Sequence, residues 1–266
     1  MQDVRRPCEP NCIRILSWNI RHGGGSRLPR IVDAISAYQP DVIILCEFRL
    51  SGDPFLRKAL FRQGYASVAR GGCPRRCNGV VIASKLPLKR KRILSRRVED
   101  PHRMVVAEFE ELHVVGVYMP NLLRKTPYWD AVLRSSRHFK NRPTLLIGDF
   151  NTTRHFVDEP GQVCKTSQYM DLIEAAGFRD LWRHRNPEAR EYSWYSHRGN
   201  GYRLDHAFFS APLAERVQRV WYSHAERQAG LSDHSIILAD ISTSTALPIR
   251  GRISTRRRTE EFMQYI

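Results

Sequence analysis

Acids, amides and a histidine recur at the ends of short apolar runs in this chain, a pattern that could bind a divalent cation and activate water at a phosphate. Trp18-Asn19, Cys46-Glu47, Tyr118 to Asn121 and Asp149 to Asn151 each close such a run, Asp205-His206 stands at the start of one, and Asp233-His234 stands just before another. An apolar strand needs no carboxylate at its end, so the repetition suggests one polar site gathered at an edge of the sheets. Taken singly, each has an ordinary explanation: Asn19 could form a turn, and Asp149-Phe150-Asn151 could cap one. Hydrolysis of a phosphate ester near neutral pH needs a cation to neutralise the phosphate, a base for the water and stabilisation of the leaving oxygen. Glu47, Asn19 and Asp233 offer hard oxygen ligands suited to Mg²⁺. Asp149 is a candidate base, Asn151 and Tyr118 are candidate donors to phosphate, and His234 is a donor or proton carrier that Asp205 could orient.

The elements that must position these groups are legible as β-branched and apolar runs. Ile13 to Trp18, Val42 to Glu47, Val80 to Ala83, Met104 to Phe109, Val114 to Tyr118, Leu145 to Asp149, Leu204 to Phe209 and Ile236 to Ala239 read as strands. Helical spacing appears in Ile31, Ala34, Ile35 and Tyr38, and again over Pro127 to Phe139 and Gln168 to Ala176. The expected class is α/β, with helices covering sheet faces.

At 266 residues and 42% hydrophobic content, the chain can bury one substantial core, so one domain is expected over 13–241. An N-terminal extension (1–12) and a basic C-terminal tail (242–266) would flank it. No run approaches the length of a membrane-spanning helix, and the first residues lack a signal peptide's apolar stretch. A soluble, cytoplasmic protein is expected, with no stable membrane insertion and with its six cysteines reduced. A four-thiolate zinc site from the two CxxxC pairs, Cys8/Cys12 and Cys73/Cys77, is the weaker reading. The net charge of +16 calls for a polyanionic partner or an anionic surface. Its distribution is lopsided, with thirteen Lys or Arg and no acid between Asp53 and Glu99.

The blocks SWNI (Ser17 to Ile20), Glu47, NGVVIAS (Asn78 to Ser84), VYMPN (Val117 to Asn121), IGDFN (Ile147 to Asn151), RLDH (Arg203 to His206) and SDH (Ser232 to His234) occur in that order. Together they resemble the endonuclease/exonuclease/phosphatase superfamily, and within it the exonuclease III-like abasic-site endonucleases, over about Ile13 to Ile241. The resemblance implies a four-layer α/β sandwich with two central mixed β-sheets flanked by helices. It implies a metal site from Asn19, Glu47 and Asp233 holding Mg²⁺, with Mn²⁺ the alternative. Asp149 would position the attacking water, Asn151, Tyr118 and Asn121 would organise the scissile phosphate, and His234 paired with Asp205 would stabilise developing charge. Double-stranded DNA would be the partner, cut at an abasic site, trimmed from its 3′ end, or both; no protein partner is implied.

Departures from the pattern mark where the substrate is open. Those enzymes usually carry Asn or Asp two residues beyond the first asparagine, where this chain has Arg21, followed by His22 and Gly23 to Gly25, expected to form a flexible loop. Cys46 replaces a Gln, and Tyr202 stands where Trp is common. Trp194, Tyr202 and Leu204 match the pocket for a flipped-out abasic sugar, with core packing the plain alternative. Arg75 and Arg76, in the loop that leads to Asn78, are candidate contacts to a groove or the backbone of nucleic acid, and Asn78 is a further candidate substrate-binding residue. A phosphatase or phosphodiesterase acting on RNA, a lipid or an inositol phosphate is the enzymatic alternative. A catalytically silent nucleic-acid-binding module is the alternative of another class.

Overall fold

The structure, a computed structural model, describes residues 11–72, 74, 77–161 and 164–243. Its strands are β1 (Cys12–Asn19), β2 (Val42–Phe48), β3 (Ser67–Arg70), β4 (Gly79–Ser84), β5 (Arg90–Ile93), β6 (Met104–Glu108) and β7 (His113–Tyr118), followed by β8 (Thr144–Asp149), β9 (Phe178–Asp180), β10 (Trp194–Tyr195), β11 (Gly201–Tyr202), β12 (Asp205–Ser210), β13 (Val217–Ser223) and β14 (Ile236–Ser242). The helices are α1 (Leu28–Tyr38), α2 (Asp53–Arg62), α3 (Thr126–Phe139), α4 (Gln168–Ala175), α5 (Leu181–Arg185), α6 (Ala211–Ala214) and α7 (Ala225–Gln228). One mixed sheet runs β13-β14-β1-β2-β4-β3 and the other β5-β6-β7-β8-β12-β9.

Side chains alternate across a strand, and here both faces are buried. Ile13 and Ile15 of β1, Val42 and Ile44 of β2, and Leu145 and Ile147 of β8 meet between the two sheets. The intervening Leu16, Trp18, Ile43 and Leu45 pack instead against Ile31, Ile35 and Leu56 of α1 and α2. On the far side, Val115, Val117 and Leu146 pack against Trp129, Val132 and Ile173 of α3 and α4. Helices, sheet, sheet and helices make the expected four-layer sandwich. The same alternation aims the chemistry: Asn19, Tyr118, Asp149 and Asp205 share the parity of the inter-sheet residues on their strands, so they line the rim of the central core.

The sequence runs located the central strands and missed the edges. β3 and β5 carry half-buried or exposed polar residues such as Arg70, Arg90 and Lys91, which mask strand periodicity because an edge has only one face to bury. Gly23 to Gly25 form a bonded turn in place of the expected flexible loop: Gly23 N donates to the Glu47 carbonyl at 2.8 Å, and Gly23 and Gly24 take φ of 74° and 78°. Cys12 is disulfide-bonded, which corrects the expectation of reduced thiols throughout and removes Cys12 as a zinc ligand, while Cys46 and Cys164 are free thiols. Most of the expected extension and tail, with Arg75 and Arg76, lies outside the described residues. Among those described, no helix is long and apolar enough to cross a membrane.

Beneath the rim, Arg203 is buried with its Nε 2.7 Å from Asp158 Oδ1 and its Nη2 2.7 Å from Asp180 Oδ2. Arg183 Nη2 joins at 2.6 Å from Asp158 Oδ1. Burial alone would raise both carboxyl groups, yet the Arg203 guanidinium outweighs it and holds Asp158 and Asp180 below the usual carboxylate range. Arg203→Met is expected to strand two buried charges at a cost of about 4 kcal/mol. That corresponds to a melting point lower by roughly 10 °C. Because both groups titrate lower when folded, the unfolded chain binds more protons in acid. Their contribution is whole above the unfolded pKa and fades as pH falls below about 4, so the gap between native and variant melts should narrow there. An unchanged melting point at neutral pH would refute the clamp.

Candidate active site

Each strand end delivers its side chain for a local reason. Gly148, just before Asp149, has φ 144°, and a Cβ there would lie 1.9 Å from the Val117 carbonyl oxygen, so β8 approaches β7 as only glycine allows. Glu47 shares its parity with Ile43 and Leu45 and would otherwise face α1. A register shift between Cys46 and Phe48, with Glu47 at φ 57°, turns its carboxylate into the site. Asn151, at φ 48°, bends the chain back so that its own N–H donates to Asp149 Oδ1 at 2.9 Å.

These groups form one connected network. Asn19 Nδ2 donates to Asp149 Oδ2 at 3.0 Å and to Glu47 Oε1 at 3.3 Å, joining the two sheets. Glu47 also accepts from the backbone N–H of His22 at 2.7 Å, from Asn78 Nδ2 at 3.0 Å and from the Tyr118 hydroxyl at 3.3 Å. His234 Nδ1 lies 2.8 Å from Asp205 Oδ2, and its Nε2 lies 4.0 Å from Asp149 Oδ2. Trp18 Nε1 donates to the His234 carbonyl at 2.9 Å, and Ser232 Oγ donates to the Asn19 carbonyl at 2.6 Å, so the SDH segment is tied to the end of β1.

Electrostatics divides the roles. Burial pushes Asp149 up to about 7, helped by Asp205 and opposed by His234 and Asn19. Burial disfavours a charged His234, but the Asp205 and Asp149 carboxylates outweigh it and raise the imidazole to about 10. The result is a carboxylate poised near neutrality beside a standing imidazolium. Burial, with Glu47 and Asp149 nearby, also raises the Tyr118 hydroxyl, which therefore stays a proton donor.

A match to the family model for the endonuclease/exonuclease/phosphatase family extends over residues 16–234. The chain belongs to that family. Recombination repair protein 1 of Drosophila melanogaster is 25% identical over 77% of this chain, which spans about a third of that relative's length, 34%. Exodeoxyribonuclease III of Haemophilus influenzae is 25% identical over 86% of this chain and 99% of its own. A 3′ phosphatase from Neisseria, solved with a product DNA hairpin, shares the fold at a TM-score of 0.76 and 24% identity, covering 86% of this chain and 99% of that one. Membership makes the chain a hydrolase of a metal-dependent family.

The family's metal requirement can be set against this donor set. Among the described residues, the tight group of possible ligand atoms is Asp149, Asp205 and His234, all within 4.8 Å of one another. An imidazole binds a metal only when neutral, and the Asp205 and Asp149 carboxylates favour the protonated form of His234, which disfavours it as a ligand. Glu47 and Asn19 bring oxygen donors, and Asn19 Oδ1, which accepts from Arg21 N at 3.0 Å, keeps a second lone pair. An all-oxygen set without thiolate fits a hard cation. Asp233 stands further out: its Oδ1 is 3.5 Å from Ser232 Oγ, while its Oδ2 accepts from Trp194 Nε1 at 3.3 Å and lies 3.9 Å from Arg21 Nε. Arg21 thus puts a positive charge against this carboxylate.

The remaining expected residues fall around the network. Trp194 and Tyr202 are half-buried on the β10–β11 hairpin, their rings 5.7 Å apart, and Trp194 is 6.5 Å from the His234 ring. They therefore wall the site and are not core residues. Asn121 is exposed at the start of the turn after β7, where its side chain makes no capping bond. Motif reading missed three supports. The Arg103 guanidinium sits 4.5 Å from the centre of the Tyr118 ring. Arg49 Nε donates to Asn78 Oδ1 at 2.6 Å. The buried Lys125 ammonium donates to the Asn151 carbonyl. None lies in a recognisable block, and Arg103 closes the short turn Pro101–Arg103 that leads into β6.

Proposed function

We propose that the protein is a nuclease that uses Mg²⁺, or Mn²⁺ in its place, to hydrolyse DNA phosphodiester bonds, as an abasic-site endonuclease, a 3′ exonuclease or both. The observation that carries the reading is the Asp149–His234–Asp205 group, 2.8 Å and 4.0 Å between partners, with Asn19 linking it to Glu47. The names of the relatives, an exodeoxyribonuclease and a recombination repair protein, favour DNA, as does the charge of +16.

Glu47, Asn19 and Asp233 would hold the cation, which when bound neutralises charge on the scissile phosphate. Asp149 takes a proton from the attacking water through the oxygen that faces His234. Asn151, Tyr118 and Asn121 hold the phosphate by hydrogen bonds. The His234 imidazolium, oriented by Asp205, stabilises the charge that grows on the phosphoryl oxygens. Trp194 and Tyr202 receive the sugar beside the bond, where a missing base leaves room for their rings.

The test is cleavage of two end-labelled duplexes, one with a single abasic site and one intact, in Mg²⁺ and in EDTA. Incision at the abasic site that EDTA abolishes is the expected result. Glu47→Gln should keep DNA binding and raise the Mg²⁺ concentration needed for half-maximal rate by roughly tenfold or more, since a neutral amide replaces a charged ligand. Cleavage of neither duplex would refute the reading, and an unchanged Mg²⁺ requirement would remove Glu47 from the metal site.

A further inference from the structure

Away from the active site, the edge strands of the two sheets, β3 and β5, meet beside α2, and the seam is open. A groove of about 410 Å³ lies there, lined chiefly by Arg57, Phe61, Tyr65, Arg70, Leu88 and Lys91. The nearly buried Asp53 carboxylate accepts two arginines at once, its Oδ2 lying 3.1 Å from Arg57 Nε and 3.5 Å from Arg70 Nη2. One negative charge thus aligns two guanidinium groups and leaves a net positive charge at the groove wall. Lys91 closes the opposite wall from the other sheet, its Nζ donating to the Val68 carbonyl at 3.3 Å. Phe61 adds a ring that is 36% exposed.

The Arg70 end of the groove lies toward the catalytic rim. Arg70 pairs with Val81 on β4, and Asn78, which donates to Glu47, lies three residues before Val81 in sequence. The separation along the strand is therefore ~10 Å, about three nucleotide steps of a duplex strand. A space of this size takes a nucleotide-sized group; a duplex would ride over it. Fixed cations beside an aromatic ring are what an unpaired nucleotide requires, the cations for its phosphates and the ring for its base.

We propose that this groove is a second nucleic-acid site, which holds a single-stranded flank of a substrate whose scissile phosphate lies at Asp149. The proposal rests on the nuclease reading. It assigns Arg57, Arg70 and Lys91 to phosphates and Phe61 to base stacking. A substrate with an unpaired tail is then bound at two points, and an untailed duplex at one.

The experiment compares binding of an untailed hairpin with hairpins bearing a short 3′ or 5′ single-stranded tail, by fluorescence anisotropy in EDTA across a salt series. The full chain is used, native and as Arg57→Gln/Lys91→Gln and Phe61→Ala. The tail is expected to tighten binding of the native protein by roughly tenfold, and Phe61→Ala to lose most of that gain. The double variant should lose it too, with the salt slope for tailed DNA shrinking by about 1.4, or 0.7 per phosphate contact. Turnover of the untailed substrate in Mg²⁺ should be unchanged in every variant, which shows that they are folded. Equal affinity for tailed and untailed DNA would overturn the proposal, and retention of the tail gain in Phe61→Ala would overturn its single-stranded form. A double variant that loses binding to phosphatidylserine vesicles but keeps the tail gain would overturn it in favour of a membrane. Should the native protein cleave no DNA, the nuclease reading fails separately, because the tail effect is read without turnover.

Discussion

An Asp149→Asn protein is expected to bind DNA as the native protein does and to cleave it about a thousandfold more slowly. The side chain is fully buried and held from two sides, by Asn19 Nδ2 at 3.0 Å and by the Asn151 N–H at 2.9 Å, so its position does not depend on substrate. An amide keeps the shape and one of these bonds, but it cannot take a proton from water. Because burial pushes the carboxyl up to about 7, the native rate should climb with pH until about that value, as the base loses its proton. The variant should lack this limb. Single-turnover rates across the pH range, with binding measured in parallel, decide the matter. A variant retaining a tenth or more of native turnover would mean that another group activates the water.

The place of Asp149 at a polar strand end was legible in the sequence, and the reason is physical. A strand buried on both faces is written almost entirely in apolar residues, so Asp149 after Leu145 to Gly148 and Asn19 after Ile13 to Trp18 stand out as groups the core does not want. The sheet centres were readable on the same grounds. Glu47 was readable as a residue but not as a geometry: its parity assigns it to the helix-facing side, and only the register shift at Cys46 to Phe48 redirects it. The Arg21–Asp233 contact was hidden for another reason. A substitution in a motif shows that a usual partner is absent, but not which carboxylate the replacement will meet. Edge strands such as Arg90–Ile93 and the groove they frame are invisible to periodicity, because a strand with one exposed face and long cationic side chains reads as a solvated run.

His234 is the group whose loss should cost most after Asp149. Replacing it with Gln is expected to lower turnover by roughly 10² to 10³ while leaving the KM for DNA close to native, since the imidazolium faces charge that develops only as the bond breaks. Its state is set by Asp205, 2.8 Å away, whose charge offsets the burial that would otherwise strip the ring of its proton. Asp205→Asn therefore makes a sharper test than removal of the ring. Native His234 keeps its proton up to about 10, so it should add no falling limb to the rate below that pH. Without the Asp205 charge, burial gains the upper hand and the imidazole titrates lower, so the rate should start to fall well below pH 10. If the Asn variant is slow at every pH with an unmoved profile, Asp205 orients the ring without charging it. A falling limb displaced toward neutrality would show that the carboxylate's charge, beyond its hydrogen bond, keeps His234 cationic for catalysis.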